Sequence, residues 1–154
     1  MPNTETTERP YDIIVWGASG FTGRIVVDYM HREYGSGNVR WAIAGRNPAK
    51  LETVAGQRDI PVLTADSHDV EALEKLVQQT RVILTTVGPY ARYGSELVAA
   101  CAKHGTHYCD LTGESLWMRE MITAHQQTAQ DSGARIVHTC GYDSIPSDLS
   151  LIHN

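Results

Sequence analysis

From Tyr11 onward, apolar positions alternate between two rhythms: short β-branched or aromatic runs, and longer stretches with apolar residues three and four apart. The short runs predict six strands, at residues 12–16, 39–44, 61–64, 81–87, 107–109 and 135–139. The longer stretches predict five intervening helices. One spans about 20–34, and a second is capped by Asn47, with Pro48 at its first position and Gly56 at its end. A third, expected to be capped by Ser67, carries Val70, Leu73, Leu76 and Val77 on one face. The last two cover 95–104, closed by Gly105, and 115–130, after which Gly133 introduces the sixth strand. Run 81–87 is almost wholly apolar or β-branched, as a central parallel strand covered on both faces requires.

The stretch around which the pattern is organised follows the first strand. Ile13-Ile14-Val15-Trp16 runs into Gly17-Ala18-Ser19-Gly20-Phe21-Thr22-Gly23-Arg24, and a helix with apolar Phe21, Ile25, Val26, Tyr29 and Met30 follows. Glycines between a buried strand and a helix let the backbone approach a diphosphate, while first-turn N–H groups and the positive helix end face the anion. Ser19 adds a hydroxyl and is the expected N-cap. The spacing is G-x-x-G-x-x-G, one residue longer at its first step than the simplest dinucleotide fingerprint. A fingerprint on the first crossover predicts an α/β Rossmann fold: a doubly wound parallel sheet of six strands in the order 3-2-1-4-5-6.

Cofactor choice is set where strand two ends. A carboxylate there would accept hydrogen bonds from the adenosine ribose and repel a 2′-phosphate, and an arginine does the reverse. The strand ends Ala44-Gly45-Arg46-Asn47, with no acid until Glu52. Arg46 is expected to stack on the adenine and pair with a 2′-phosphate, with Lys50 adding charge, so NADP(H) is favoured over NAD(H). Its bland alternative is a solvated arginine. Asp66 and Ser67, after strand three, are placed to meet the adenine, although a capping role for Asp66 stays open. Thr86-Val87-Gly88-Pro89-Tyr90, after strand four, is expected beside the nicotinamide ribose, and a rigid Gly-Pro turn is its alternative.

Composition narrows the possibilities. The 154 residues carry 13 basic and 18 acidic side chains, net −5, with no basic cluster, so no nucleic-acid or membrane partner is expected. Cys101, Cys109 and Cys140 are an odd set without C-x-x-C spacing, which points to reduced thiols in a cytoplasmic protein. Residues 1–10 offer little to bury and are expected as a disordered lead-in. His104, His107 and Cys109 straddle a helix end and a strand, so no metal site is expected. Tyr90, Tyr93, Asp110, Glu114, Tyr142 and Asp143 fall at strand ends and could face a substrate, but each is read first as a cap, a turn former or an interdomain contact, and none is assigned a catalytic role. The catalytic group is left unknown, and no Tyr is followed four residues later by Lys. A homo-oligomer stays open.

Several of these stretches together resemble a known family. Gly17-Ala-Ser-Gly-Phe-Thr-Gly-Arg24, Ala44-Gly-Arg-Asn47, Val87-Gly-Pro-Tyr90 with Tyr93-Gly94, Gly105-Thr-His-Tyr-Cys-Asp-Leu-Thr-Gly-Glu114 and Cys140-Gly-Tyr-Asp-Ser-Ile-Pro-Ser-Asp148 are similar to the N-terminal half of saccharopine dehydrogenase-like oxidoreductases. The branch resembled is the one with trans-acting enoyl reductases. The resemblance implies a nicotinamide-dependent reductase of a C=C or C=O bond in an acyl or lipid-like substrate. Saccharopine dehydrogenases themselves carry a shorter-spaced glycine turn, so the longer one here weighs against a role in lysine metabolism. A helix starting near Ser144 after the nucleotide domain is complete leads to the expectation of a fragment whose small-molecule substrate is held by a missing second domain. The alternative is a non-catalytic module that senses NADP(H).

Overall fold

A computed structural model describes residues 9–35 and 37–152. Six parallel strands form one sheet in the order β3-β2-β1-β4-β5-β6, as expected from the fingerprint's position. They are β1 (Tyr11–Trp16), β2 (Trp41–Gly45), β3 (Val62–Thr64), β4 (Thr80–Thr85), β5 (His107–Cys109) and β6 (Ile136–Val137). The helices are α1 (Phe21–Tyr34), α2 (Pro48–Ala55), α3 (Val70–Val77), α4 (Tyr90–Tyr93), α5 (Ser95–His104), α6 (Ser115–Ser132) and α7 (Ile145–Ile152). Residues 1–8 of the expected lead-in, Ser36 and residues 153–154 lie outside the described residues.

Alternation along the central strands divides the core in two. Val15 and Ile43 face the layer made by α1 and α2, with Val27, Met30 and Leu51 packed on them. Ile14, Trp16 and Ile83 face α3, α5 and α6, with Leu73, Leu97, Tyr108 and Trp117 beneath. Both faces of β1 and β2 are therefore dry, which is why these strands carry no charged residue between Ile13 and Trp16 or between Trp41 and Gly45.

Several expected details are corrected. The N-cap of α1 is Gly20 and not Ser19, and no side chain caps it. Asp69, not Ser67, caps α3, its carboxylate accepting from Ala72 N. Asn47 does cap α2, accepting from Lys50 N at 3.0 Å. The buried face of α1 is Gly23, Val27 and Met30, whereas Phe21 and Ile25 are 85% and 57% exposed. The apolar residues of this helix thus form two stripes, and the one containing glycine packs inward because only it allows close approach.

Strand ends shift for local reasons. β4 stops at Thr85 because the Thr85 hydroxyl takes Val87 N at 3.2 Å and turns the chain out of the ladder. β6 is cut to two residues because Thr139, with φ 57°, gives its N–H to the Asp110 carboxylate. The four-residue α4 was not foreseen.

Arg9 is fixed rather than part of a free lead-in. Its guanidinium donates to Val77 O, Thr80 O, His104 O and Thr106 Oγ1, tying β1 to the ends of α3 and α5. Arg9→Met strands these half-buried acceptors and should lower stability by about 2–3 kcal/mol in urea unfolding. An unchanged midpoint would show the cluster to be idle.

Candidate cofactor-binding site

The carboxyl ends of β1, β2, β3 and β4 surround an open cleft of about 280 Å³. Its floor is the turn after β1. Gly17, at φ 87°, gives its N–H to Ala44 O at 2.9 Å, and Gly17 O accepts from Gly20 N at 3.0 Å. A Cβ on Gly17 would stand 2.4 Å from Val87 Cγ2, so the turn and the chain after β4 touch directly. Thr86 reinforces the contact, its N–H donating to Trp16 O at 3.1 Å.

Helix α1 leaves this turn with no capping side chain and no acidic residue in its first turn. Its first N–H groups, which have no intrahelical acceptor, and the positive end of its dipole are therefore available to an anion from outside. Gly23 makes the geometry possible, since a Cβ there would lie 2.1 Å from Gly17 O and 2.8 Å from Ala18 Cα.

Of the residues expected to meet a cofactor, Gly17, Ser19, Gly20, Arg46, Ser67, Thr86, Val87 and Gly88 come together as the lining. Ala18 and Gly23 are buried beneath it, while Phe21 and Thr22 point outward from the helix start. Asn47 is occupied as the cap of α2, and the Asp66 carboxylate accepts from His68 N at 2.9 Å, so neither side chain lines the cleft. Nor do Pro89 and Tyr90: Tyr90 is buried, donates its hydroxyl to Thr85 O at 3.2 Å, and has its phenol pushed up to about 12 by burial.

Trp16, Gly45 and Tyr93 line the cleft without having been expected as cofactor contacts. In the sequence Tyr93 is a strand-end candidate and part of the Tyr93-Gly94 stretch that carries the resemblance. Its ring lies 5.7 Å from that of His68, and the Arg92 guanidinium sits 5.1 Å over it. No sequence rule marks Trp16, whose role comes from ending the central strand.

Two observations bear on whether a nucleotide fits. Among the described residues Arg46 is exposed at the cleft rim and forms no ion pair, leaving its planar fork for an anion. Trp16 Nε1 is buried and finds no acceptor among the described residues. A cationic rim, an uncapped helix start and glycine floor fit a dinucleotide phosphate better than an apolar ligand.

The profile of the family described as "Saccharopine dehydrogenase NADP binding domain" matches residues 13–137. The chain belongs to this NADP-binding domain family. It is 44% identical over 153 residues to the trans-acting enoyl reductase of Mycobacterium ulcerans, covering 96% of this chain and 36% of that protein. The trans-acting enoyl reductase of Mycobacterium bovis is 44% identical over 149 residues, 94% of this chain and 35% of the relative. The chain thus spans about a third of the length of the curated relatives it matches. Among solved structures, saccharopine dehydrogenase from Saccharomyces cerevisiae aligns with TM-score 0.72 at 20% identity, over 86% of this chain and 28% of that one. Triphenylmethane reductase of Citrobacter sp., solved in complex with NADP(H), aligns with TM-score 0.63 at 18% identity, over 82% and 48%. These two likenesses establish the fold.

Two of the strand-end acids of this NADP-binding domain, Asp110 and Glu114, are engaged by the protein itself. Asp110 is buried, with Oδ2 accepting from Tyr108 OH at 2.9 Å and lying 2.7 Å from His138 Nδ1. Oδ1 accepts from Thr112 N at 3.1 Å and Thr139 N at 2.9 Å. Burial raises its pKa, but the hydrogen bonds from His138, Thr112, Thr139 and Tyr108 outweigh that and hold the carboxyl below its usual range. Among the described residues no group of three or more His, Cys, Asp or Glu is assembled for a metal, and no helix is long and apolar enough to cross a membrane.

Two outcomes are expected. Gly23→Ala should cost about 1–3 kcal/mol through overpacking and weaken NADP+ binding in calorimetric titration, since loop or helix must move; unchanged affinity would contradict the tight turn. For Asp110, whose folded pKa is depressed, the stability contribution is complete above the unfolded value of 3.8 and lost as pH falls through the folded one. Asp110→Asn should therefore be less stable at neutral pH and less steeply acid-sensitive below about pH 4. Parallel wild-type and variant curves would contradict this.

Proposed function

We propose that the cleft binds NADP(H) in preference to NAD(H), with the diphosphate over Gly17, Ser19 and Gly20 and the 2′-phosphate on Arg46. Ser67 and Tyr93 flank the adenosine half, and Thr86, Val87 and Gly88 border the nicotinamide half, following the rule that strand carboxyl ends hold the nucleotide. The observation that carries this reading is Arg46, which among the described residues forms no ion pair and stands just after β2 on the rim of the cleft floored by the glycine turn.

We further propose that the domain serves a reductase of a C=C or C=O bond in an acyl or lipid-like substrate. Support comes from family membership and from relatives named trans-acting enoyl reductases. When bound, the cofactor supplies the hydride. The chain's part is positioning: the turn grips the diphosphate and the wall after β4 fixes the nicotinamide end. Most of each relative has no counterpart in this chain, and there we place substrate recognition, in a second domain. Three free thiols suit a reducing compartment, the cytoplasm.

Fluorescence titration tests the selectivity. NADPH should bind more tightly than NADH, and Arg46→Asp should weaken NADPH about 10- to 100-fold, the worth of a charge-assisted pair, while sparing NADH. Equal affinities in the wild type, or equal losses in the variant, would reject the role of Arg46.

A further inference from the structure

The wall of the cleft after β4 is poorly supported by its own sequence. Val87 and Gly88 lead into α4, which has four residues, too few to be stable alone. Its N-cap is Pro89, which has no side-chain acceptor, so the first N–H groups of α4 find no cap within their own segment.

The missing acceptor comes from the start of α6. Glu114 Oε1 accepts from Tyr90 N at 2.6 Å, and Glu114 Oε2 accepts from Ala91 N at 2.9 Å. One carboxylate thus holds two consecutive backbone N–H groups across 24 and 23 residues of sequence. Charge-assisted bonds of this length are about twice as strong as neutral ones. Glu114 is itself fixed: its N–H donates to Thr112 Oγ1 at 3.0 Å, and Thr112 N donates to the buried Asp110 at 3.1 Å. Trp117, one turn further along α6, presses on the other end of α4, where a Cβ on Gly94 would meet its ring at 2.7 Å.

We propose that Glu114 is a positioning residue of the cofactor cleft, its carboxylate setting the place of the wall formed by Val87, Gly88 and Tyr93. It touches no part of the cleft itself and acts through the backbone of α4. The inference rests on the NADP(H) reading above and assigns that site a residue outside its lining. It also connects the cleft to the ends of β5 and β6, because Asp110, which anchors Thr112, also accepts from Thr139 N and, through its backbone carbonyl, from Cys140 N at 2.7 Å.

The test compares NADP+ affinity in the wild type, Glu114→Gln and Arg9→Met, together with amide hydrogen exchange. Glu114→Gln keeps the length and one acceptor but loses the charge. It should raise the Kd for NADP+ about tenfold and speed exchange of the Tyr90 and Ala91 amides while β1 and β4 amides keep their protection. Arg9→Met, at the opposite end of the sheet, should lower the Tm and leave Kd within about twofold. Glu114→Gln binding as well as the wild type, or both variants losing affinity in proportion to stability, would overturn the inference alone. A wild type that binds no NADP+ would overturn the cofactor reading, and this inference with it.

Discussion

The whole site depends on how closely α1 approaches the turn that precedes it. With hydrogen in place of a side chain at Gly23, the helix backbone settles on Gly17 O and Ala18. This seats the buried stripe of Val27 and Met30 on the sheet and brings the uncapped start of α1 to the carboxyl end of β1. A methyl group there would displace either the helix or the turn. The same closeness governs Gly17, whose missing side chain lets Val87 close over the turn from β4. Two glycines therefore join three elements into one floor, and the field of the helix start is directed at the space above it.

The two walls of that space are built differently. On the β2 and β3 side, the lining comes from strand ends already fixed in the core, with Gly45 buried and Arg46 the first residue to emerge. On the β4 side, a short helix is held by groups from elsewhere, Glu114 and Trp117, and Tyr90 fastens it from below through Thr85 O. Rigid placement suits recognition of a 2′-phosphate. The wall fastened by Glu114, Trp117 and Tyr90 is tied to the ends of β5 and β6 through Asp110, which accepts from both Thr112 N and Thr139 N.

Much of this was legible in the sequence because it is local. The glycine spacing, the apolar β4 and the arginine after β2 are each read from a few adjacent residues, and topology follows once the first crossover is placed. Where the reading missed, long-range contacts decided. Cap positions are the local exception: Ser19 and Ser67 have the right residue type, yet Gly20 precedes α1 with no side-chain cap and Asp69 caps α3 by accepting from Ala72 N. Glu114 looked like a strand-end acid, and only the fold shows it reaching back to α4. Arg9 looked like part of a polar lead-in because its acceptors are about 70 to 100 residues away.

The most direct measurement is a crystal structure of the chain soaked with NADP+. Density for the diphosphate over Gly17 and Gly20, with the 2′-phosphate against the Arg46 guanidinium, is the expected result. Density lying in another cleft, or a diphosphate on the turn with its 2′-phosphate turned away from Arg46, would contradict the central claim.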